Sequence, residues 1–241
     1  MCCAISLPDP TDGMNDKGYR MAPYIDAHCH LYDGAVCGAA DAGGWIVNAT
    51  NESEWGGLIA AASGTVFPAI GIHPWYADAA VPGWDTRLAD LLQVQPELMV
   101  GEIGLDRARG DMAAQNHVFA RQMDLAARFQ RAVHVHVVRA WDVVLADLAR
   151  RRELPPAIVL HGFRGNADIM RQLMHYHNIY FSFARADAPG VEMAPVTRIL
   201  VESDGRADVR LADIVRGILA RRGMDMTDMI YQNTLRVTHH G

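Results

Sequence analysis

Eight short apolar runs, separated by segments of helical spacing, constrain this chain more than any other feature. The runs are Tyr24–Ala27, Trp45–Ala49, Thr65–Ile70, Leu98–Val100, Val133–Val138, Ala157–Leu160, Ile179–Phe183 and Ile199–Val201. Runs this short suit buried strands. Between them, Gln115–Phe129 sets Val118, Phe119, Met123, Leu125 and Ala126 at threes and fours, and Trp141–Leu148, Ile169–Met174 and Leu211–Leu219 follow the same period. Strands that alternate with helices imply parallel pairing through right-handed crossovers. In 241 residues, eight such strands predict an α/β fold of the (β/α)8 barrel type, distorted if at all, and slightly smaller than the usual ~250 residues. A doubly wound open sheet is the alternative. Residues 1–21 carry Pro8, Pro10, Gly13 and Gly18 without periodicity and read as a flexible tail. That leaves residues 22–241 as one barrel domain.

Bulk properties exclude several classes. The net charge is −6, from 22 basic and 28 acidic residues, and the basic residues are scattered. Tight, non-specific duplex binding needs a basic stripe that neutralises phosphates. A nucleic-acid substrate is still admissible, because a bound cation makes an acidic protein locally positive. The four cysteines, Cys2, Cys3, Cys29 and Cys37, form no CxxC pair and no disulfide framework. Cys2 and Cys3 read as part of an unstructured start rather than as acylation sites. No basic stretch precedes an apolar run at the amino end, and no run approaches the ~18 apolar residues that span a bilayer. A cytoplasmic location, no membrane contact and no obligate protein partner are expected.

What ends the strands is more informative. The first runs into Asp26-Ala27-His28-Cys29-His30, the third into Gly71-Ile72-His73-Pro74, and the fourth into Gly101-Glu102-Ile103-Gly104-Leu105-Asp106. The fifth contains His134 and His136, the sixth ends at His161, and the eighth at Glu202-Ser203-Asp204. In a barrel the carboxyl ends of all strands meet at one face, where catalytic residues gather. Alternation puts His28 and His30 on one side of an extended chain. Taken singly, each residue has an ordinary structural explanation: Asp204 before Gly205 is turn chemistry, and His161 a satisfied buried histidine. Together they are costly to bury without a shared partner. Imidazole with carboxylate suits zinc, manganese, iron or nickel, and the absence of thiolate argues against a structural zinc site.

These stretches, with Leu160-His161-Gly162-Phe163, resemble the TatD-type metal-dependent deoxyribonucleases of the amidohydrolase superfamily, and they run in that family's order over nearly the whole chain after the tail. The resemblance implies a (β/α)8 barrel that holds one or two divalent ions, zinc, manganese or magnesium, and hydrolyses a phosphodiester. It implies that His28 and His30 bind a first ion, that Glu102 bridges two, and that His136 and His161 complete the second. Asp204 would touch the first ion and take a proton from the attacking water. His73 would contact substrate rather than metal, while His134 reads as a core residue or a support behind the ligands. The chain departs from the family after His136, where the basic residue comes later, as Arg139. It departs again after Asp106, where Arg107-Ala108-Arg109-Gly110 replaces a tyrosine-rich stretch, and after Asp204, where the usual proline is missing. Arg139, Arg107 and Arg164 are therefore the expected phosphate contacts, and single-stranded DNA or a small phosphodiester the expected substrate. Two rival readings stand beside this one: a superfamily hydrolase of a small ester, amide or lactone, and a metal-binding scaffold without turnover.

Overall fold

The computed structural model describes residues 24–239, so the expected tail lies outside the described residues. All eight expected strands form. They are β1 (Ile25–Tyr32), β3 (Gly44–Asn48), β4 (Val66–Ile70), β5 (Met99–Asp106), β6 (Val133–Val138), β7 (Ile158–Leu160), β8 (Ile179–Phe183) and β9 (Ile199–Val201). They pair in parallel in that order. A short antiparallel strand, β2 (Ala35–Cys37), folds back on β1 and was not legible in the sequence.

The sheet curls round until β9 lies beside β1. Strand pairing does not close this seam among the described residues; two hydrogen bonds from the residues after β9 to β1 do. Asp204 N–H donates to the His28 carbonyl at 3.0 Å, and Ser203 N–H to Asp26 Oδ1 at 2.9 Å. The result is a distorted (β/α)8 barrel. Helices α1 (Glu52–Ala60), α2 (Trp84–Val94), α3 (Met112–Phe129), α4 (Trp141–Arg150) and α5 (Ala167–Leu173) make the crossovers from β3 to β8. A β hairpin replaces the first crossover helix, and a loop with one 3-10 turn replaces the last. Helices α6 (Leu211–Arg222) and α7 (Thr227–Thr238) follow β9.

Alternation along the strands sorts the interior into two layers. The lower layer is apolar: Ile25, Ile46, Ala69, Met99, Val159 and Leu200 form one buried cluster, to which α7 adds Val237. Two residues further along β3, β7 and β9 the same inward face turns polar. Ile46 gives way to Asn48, Val159 to His161 and Leu200 to Glu202, while β6 is polar at both levels, with His134 and His136. The apolar layer makes the barrel a packed core, and the polar layer above it becomes the floor of a site.

Candidate metal centre

Glu102 stands at the middle of this floor, 3 % exposed. Its Oε2 lies 3.3 Å from His28 Nε2 and 3.5 Å from His30 Nε2. Its Oε1 lies 2.9 Å from His161 Nε2, 3.0 Å from His136 Nδ1 and 3.3 Å from His73 Nε2. Asp204 completes a second cluster with His28 and His161, their ligating atoms all within 4.8 Å of one another. Five strands, β1, β5, β6, β7 and β9, therefore bring His28, His30, Glu102, His136, His161 and Asp204 to one place. Thr50, His73, Trp75 and Tyr76 line the same cavity, of about 240 Å³, together with His30, Glu102, His136, His161 and Asp204.

The carboxylate and the rings hold one another in unusual charge states. Burial pushes Glu102 up, but His161 and His28 outweigh it and keep the carboxyl well below its usual range. Burial would lower His161, yet Glu102 and Glu202 together hold it well above the ordinary imidazole value. Burial, reinforced by repulsion from His161, keeps His28 well below it. Burial likewise lowers His73 against the pull of Glu102.

The orientation of these side chains is set from behind. His30 Nδ1 lies 2.9 Å from the Asn48 carbonyl, so Nδ1 carries the proton and the Nε2 lone pair faces Glu102. His161 Nδ1 lies 3.4 Å from Glu202 Oε1, which also accepts the Gly162 N–H at 2.7 Å. His136 Nε2 lies 3.6 Å from Asp106 Oδ2. Burial raises Asp106, but the Trp75 N–H at 2.7 Å and the Ala108 N–H at 2.9 Å prevail and lower it. Asp26 is fully buried and accepts from the backbone N–H groups of His28, Ala39 and Ser203; burial still lifts its pKa to about 6. His134 is fully buried below His28, with ring centroids 5.9 Å apart, and burial drives its pKa to about 3.

His73 meets the distance requirement for a ligand with Glu102 and His136, but its protonation argues otherwise. Its Nδ1 accepts the Trp75 N–H at 3.1 Å. A neutral His73 must then carry its proton on Nε2, aimed at Glu102 and into the cavity. In that tautomer Nε2 is a hydrogen-bond donor.

The donor set fits a divalent ion. Neither ring nitrogen of the buried His28 makes a hydrogen bond, and buried polar atoms of this kind seldom go unsatisfied. Lone pairs from imidazoles and carboxylates converge on one cavity, and thiolate is absent from its lining. Such a set suits zinc or manganese better than magnesium.

The expected phosphate contacts are placed differently. None of Arg107, Arg139 and Arg164 lines the cavity. The Arg107 guanidinium is held by Asp142, at 2.8 and 2.9 Å, and by the Arg139 carbonyl at 2.6 Å. Arg139 and Arg164 are exposed beyond the rim. Three supporting groups went unassigned in the sequence: Glu202, Asp106 and the Asn48 carbonyl. Glu202 and Asp106 were within reach, since alternation puts Glu202 on the face of Asp204 and Asp106 on the face of Glu102.

Comparison with known proteins agrees with this geometry. The chain is 28% identical over 211 residues to an uncharacterized metal-dependent hydrolase TatD of Mycobacterium tuberculosis, covering 75% of this chain and 78% of that protein. It is 27% identical over 188 residues to a 3'-5' ssDNA/RNA exonuclease TatD of Enterobacter lignolyticus, covering 72% of each. The crystal structure of YJJV, a TatD homolog from Escherichia coli K12, superposes with a TM-score of 0.75 at 23% identity, over 90% of this chain and 96% of that one. The family described as TatD related DNase matches residues 25–210, so the chain belongs to that family and is a metal-dependent hydrolase.

Proposed function

We propose that this protein hydrolyses phosphodiester bonds in single-stranded nucleic acid, as a deoxyribonuclease. The observation that carries the reading is the convergence of five imidazoles on Glu102 at the floor of an open cavity, with Asp204 at its edge. His28, His30, Glu102, His136, His161 and Asp204 would hold one or two divalent ions. Those ions would supply a water acidified from 15.7 towards ~7 and positive charge to offset that of the phosphoryl oxygens. Asp204, the most exposed of the six, orients the water and accepts its proton. The water oxygen bonds to phosphorus, the ester P–O bond breaks, and solvent protonates the leaving oxygen. His73 offers its Nε2–H to a phosphoryl oxygen. The exonuclease named among the relatives supports nucleic acid as the substrate class.

A second reading, hydrolysis of a small ester, amide or lactone, is favoured by one observation: the cavity lining contains no arginine or lysine. A panel of phosphodiester, phosphomonoester, lactone and amide substrates, assayed with added manganese or zinc, separates the two. The nuclease reading expects phosphodiesters to be turned over fastest. Faster turnover of a lactone or amide overturns it.

A further inference from the structure

The cavity at the metal centre, about 240 Å³, falls short of the ~300–1,000 Å³ of sites that enclose a drug-sized ligand. A nucleotide chain can seat one phosphate there, and the rest of it must lie across the mouth. Two exposed aromatic residues stand at that mouth, Trp75 at 45 % and Tyr76 at 41 % exposure, and both line the cavity.

Trp75 is held in place from two sides. Its indole N–H donates to Asp106 Oδ2 at 2.7 Å, and its ring meets His73 edge-on, with centroids 4.9 Å apart. The Arg109 guanidinium lies over the indole face, 4.1 Å from the ring centroid. Arg109 sits in the loop after β5 and is exposed. Its backbone is pinned, because the Arg109 carbonyl accepts from Gln115 Nε2. Arg107, two residues away, spends its donors on Asp142 and a carbonyl. Arg109 has no carboxylate partner among the described residues, so its five N–H donors stay available. A guanidinium stacked on a fixed ring loses less freedom on capturing an anion than a free one does.

We propose that Arg109, carried on the face of Trp75, binds a phosphate of the substrate chain other than the one being cleaved. This rests on the nuclease reading and deepens it: the site selects polymers of phosphodiesters over isolated ones. Tyr76 presents a ring beside this contact for a base, a kind of contact that tolerates any sequence. Asp106 links the two functions, since it touches both Trp75 and His136.

The test compares wild-type, Arg109→Ala, Trp75→Ala and Arg152→Ala proteins on a single-stranded thymidine octamer and on bis(p-nitrophenyl) phosphate, which has one phosphate only. Arg152 is exposed, lies before β7 and serves as a charge-matched control. Losing one charge-assisted contact should raise the octamer KM about tenfold in Arg109→Ala, several-fold more than the KM for the single diester. Octamer binding measured in chelator should show a salt slope reduced by about one. Trp75→Ala should reproduce both effects, and Arg152→Ala neither. Equal KM changes on the two substrates, or an unaltered salt slope, overturn the proposal while leaving the nuclease reading intact. Wild-type protein that cleaves the single diester but neither binds nor cleaves the octamer also overturns it. Wild-type protein that cleaves no phosphodiester removes the nuclease reading itself, and the proposal with it.

Discussion

Glu202 reaches His161 from the side away from Glu102, with its Oε1 3.4 Å from Nδ1. His161 is thereby clamped between two carboxylates, and its Nε2 is fixed 2.9 Å from Glu102 Oε1. Glu202→Gln keeps an acceptor for the Gly162 N–H but removes the charge behind the ring. Outer carboxylates of this kind typically contribute 10–100-fold in metal affinity or activity. Competitive chelator titration should show a loss of about that size with the melting temperature nearly unchanged. Unaltered affinity would leave Glu202 only its bond to Gly162.

The strands and the six polar ends were legible because two signals coincide in them. Apolar runs such as Ile199–Val201 break abruptly into Glu202-Ser203-Asp204, and no soluble core explains that switch. Other elements lacked any such signal. Helix α1 buries only Trp55 and Leu58 and contains Gly56-Gly57, so neither periodicity nor propensity marks it. Its start is fixed by Asn51, whose side chain accepts the Ser53 N–H as an N-cap. Strand β2 has three residues, none buried, and follows a left-handed turn at Asp33-Gly34. The arginines were the hardest to place. Their guanidinium groups end long side chains on loops, so which one faces the site depends on partners such as Asp142 and Trp75, distant in sequence and close only after folding.

Gly104 stands opposite His136 in the β5–β6 ladder. A Cβ there would lie 2.0 Å from the His136 carbonyl oxygen, and the backbone has φ +143, a conformation open to glycine and strained for other residues. Gly104→Ala must push β6 away or distort β5, displacing Glu102 and His136 together. The expected outcome is a loss of several kcal/mol, or failure to fold, read by thermal unfolding of the purified protein. A variant with wild-type stability and metal content would mean the strands slide past each other at little cost.

Metal dependence is expected from the unpaired nitrogens of His28 and from the imidazoles gathered round Glu102. Prolonged incubation with a strong chelator should abolish hydrolysis, and manganese or zinc should restore it. Metal binding should also raise the melting temperature, since an ion that binds the folded state at 100 times its Kd adds about 2.7 kcal/mol. Full turnover in excess chelator counts decisively against a metal-activated water.

Asp204 separates catalysis from folding, and its backbone dictates how it must be tested. Its φ is +55, in the left-handed region that asparagine and aspartate tolerate far better than alanine. Its N–H also donates to the His28 carbonyl across the barrel seam. Asp204→Ala therefore mixes strain with lost chemistry, whereas Asp204→Asn keeps the backbone, the seam and a carbonyl able to coordinate. What asparagine cannot do is accept the proton of the attacking water. General-base catalysis typically contributes 10²–10⁴-fold, so turnover in Asp204→Asn should drop by about that factor, with thermal unfolding and bound metal close to wild type. Glu102→Ala should differ on all three measurements. Glu102 is buried among five imidazoles, and its removal takes away the carboxylate that all of them approach. Metal occupancy should fall along with rate, and the crowded rings should cost stability. Near-normal turnover in Asp204→Asn would leave Asp204 as a ligand and a seam residue, and the base would have to be sought elsewhere in the cavity.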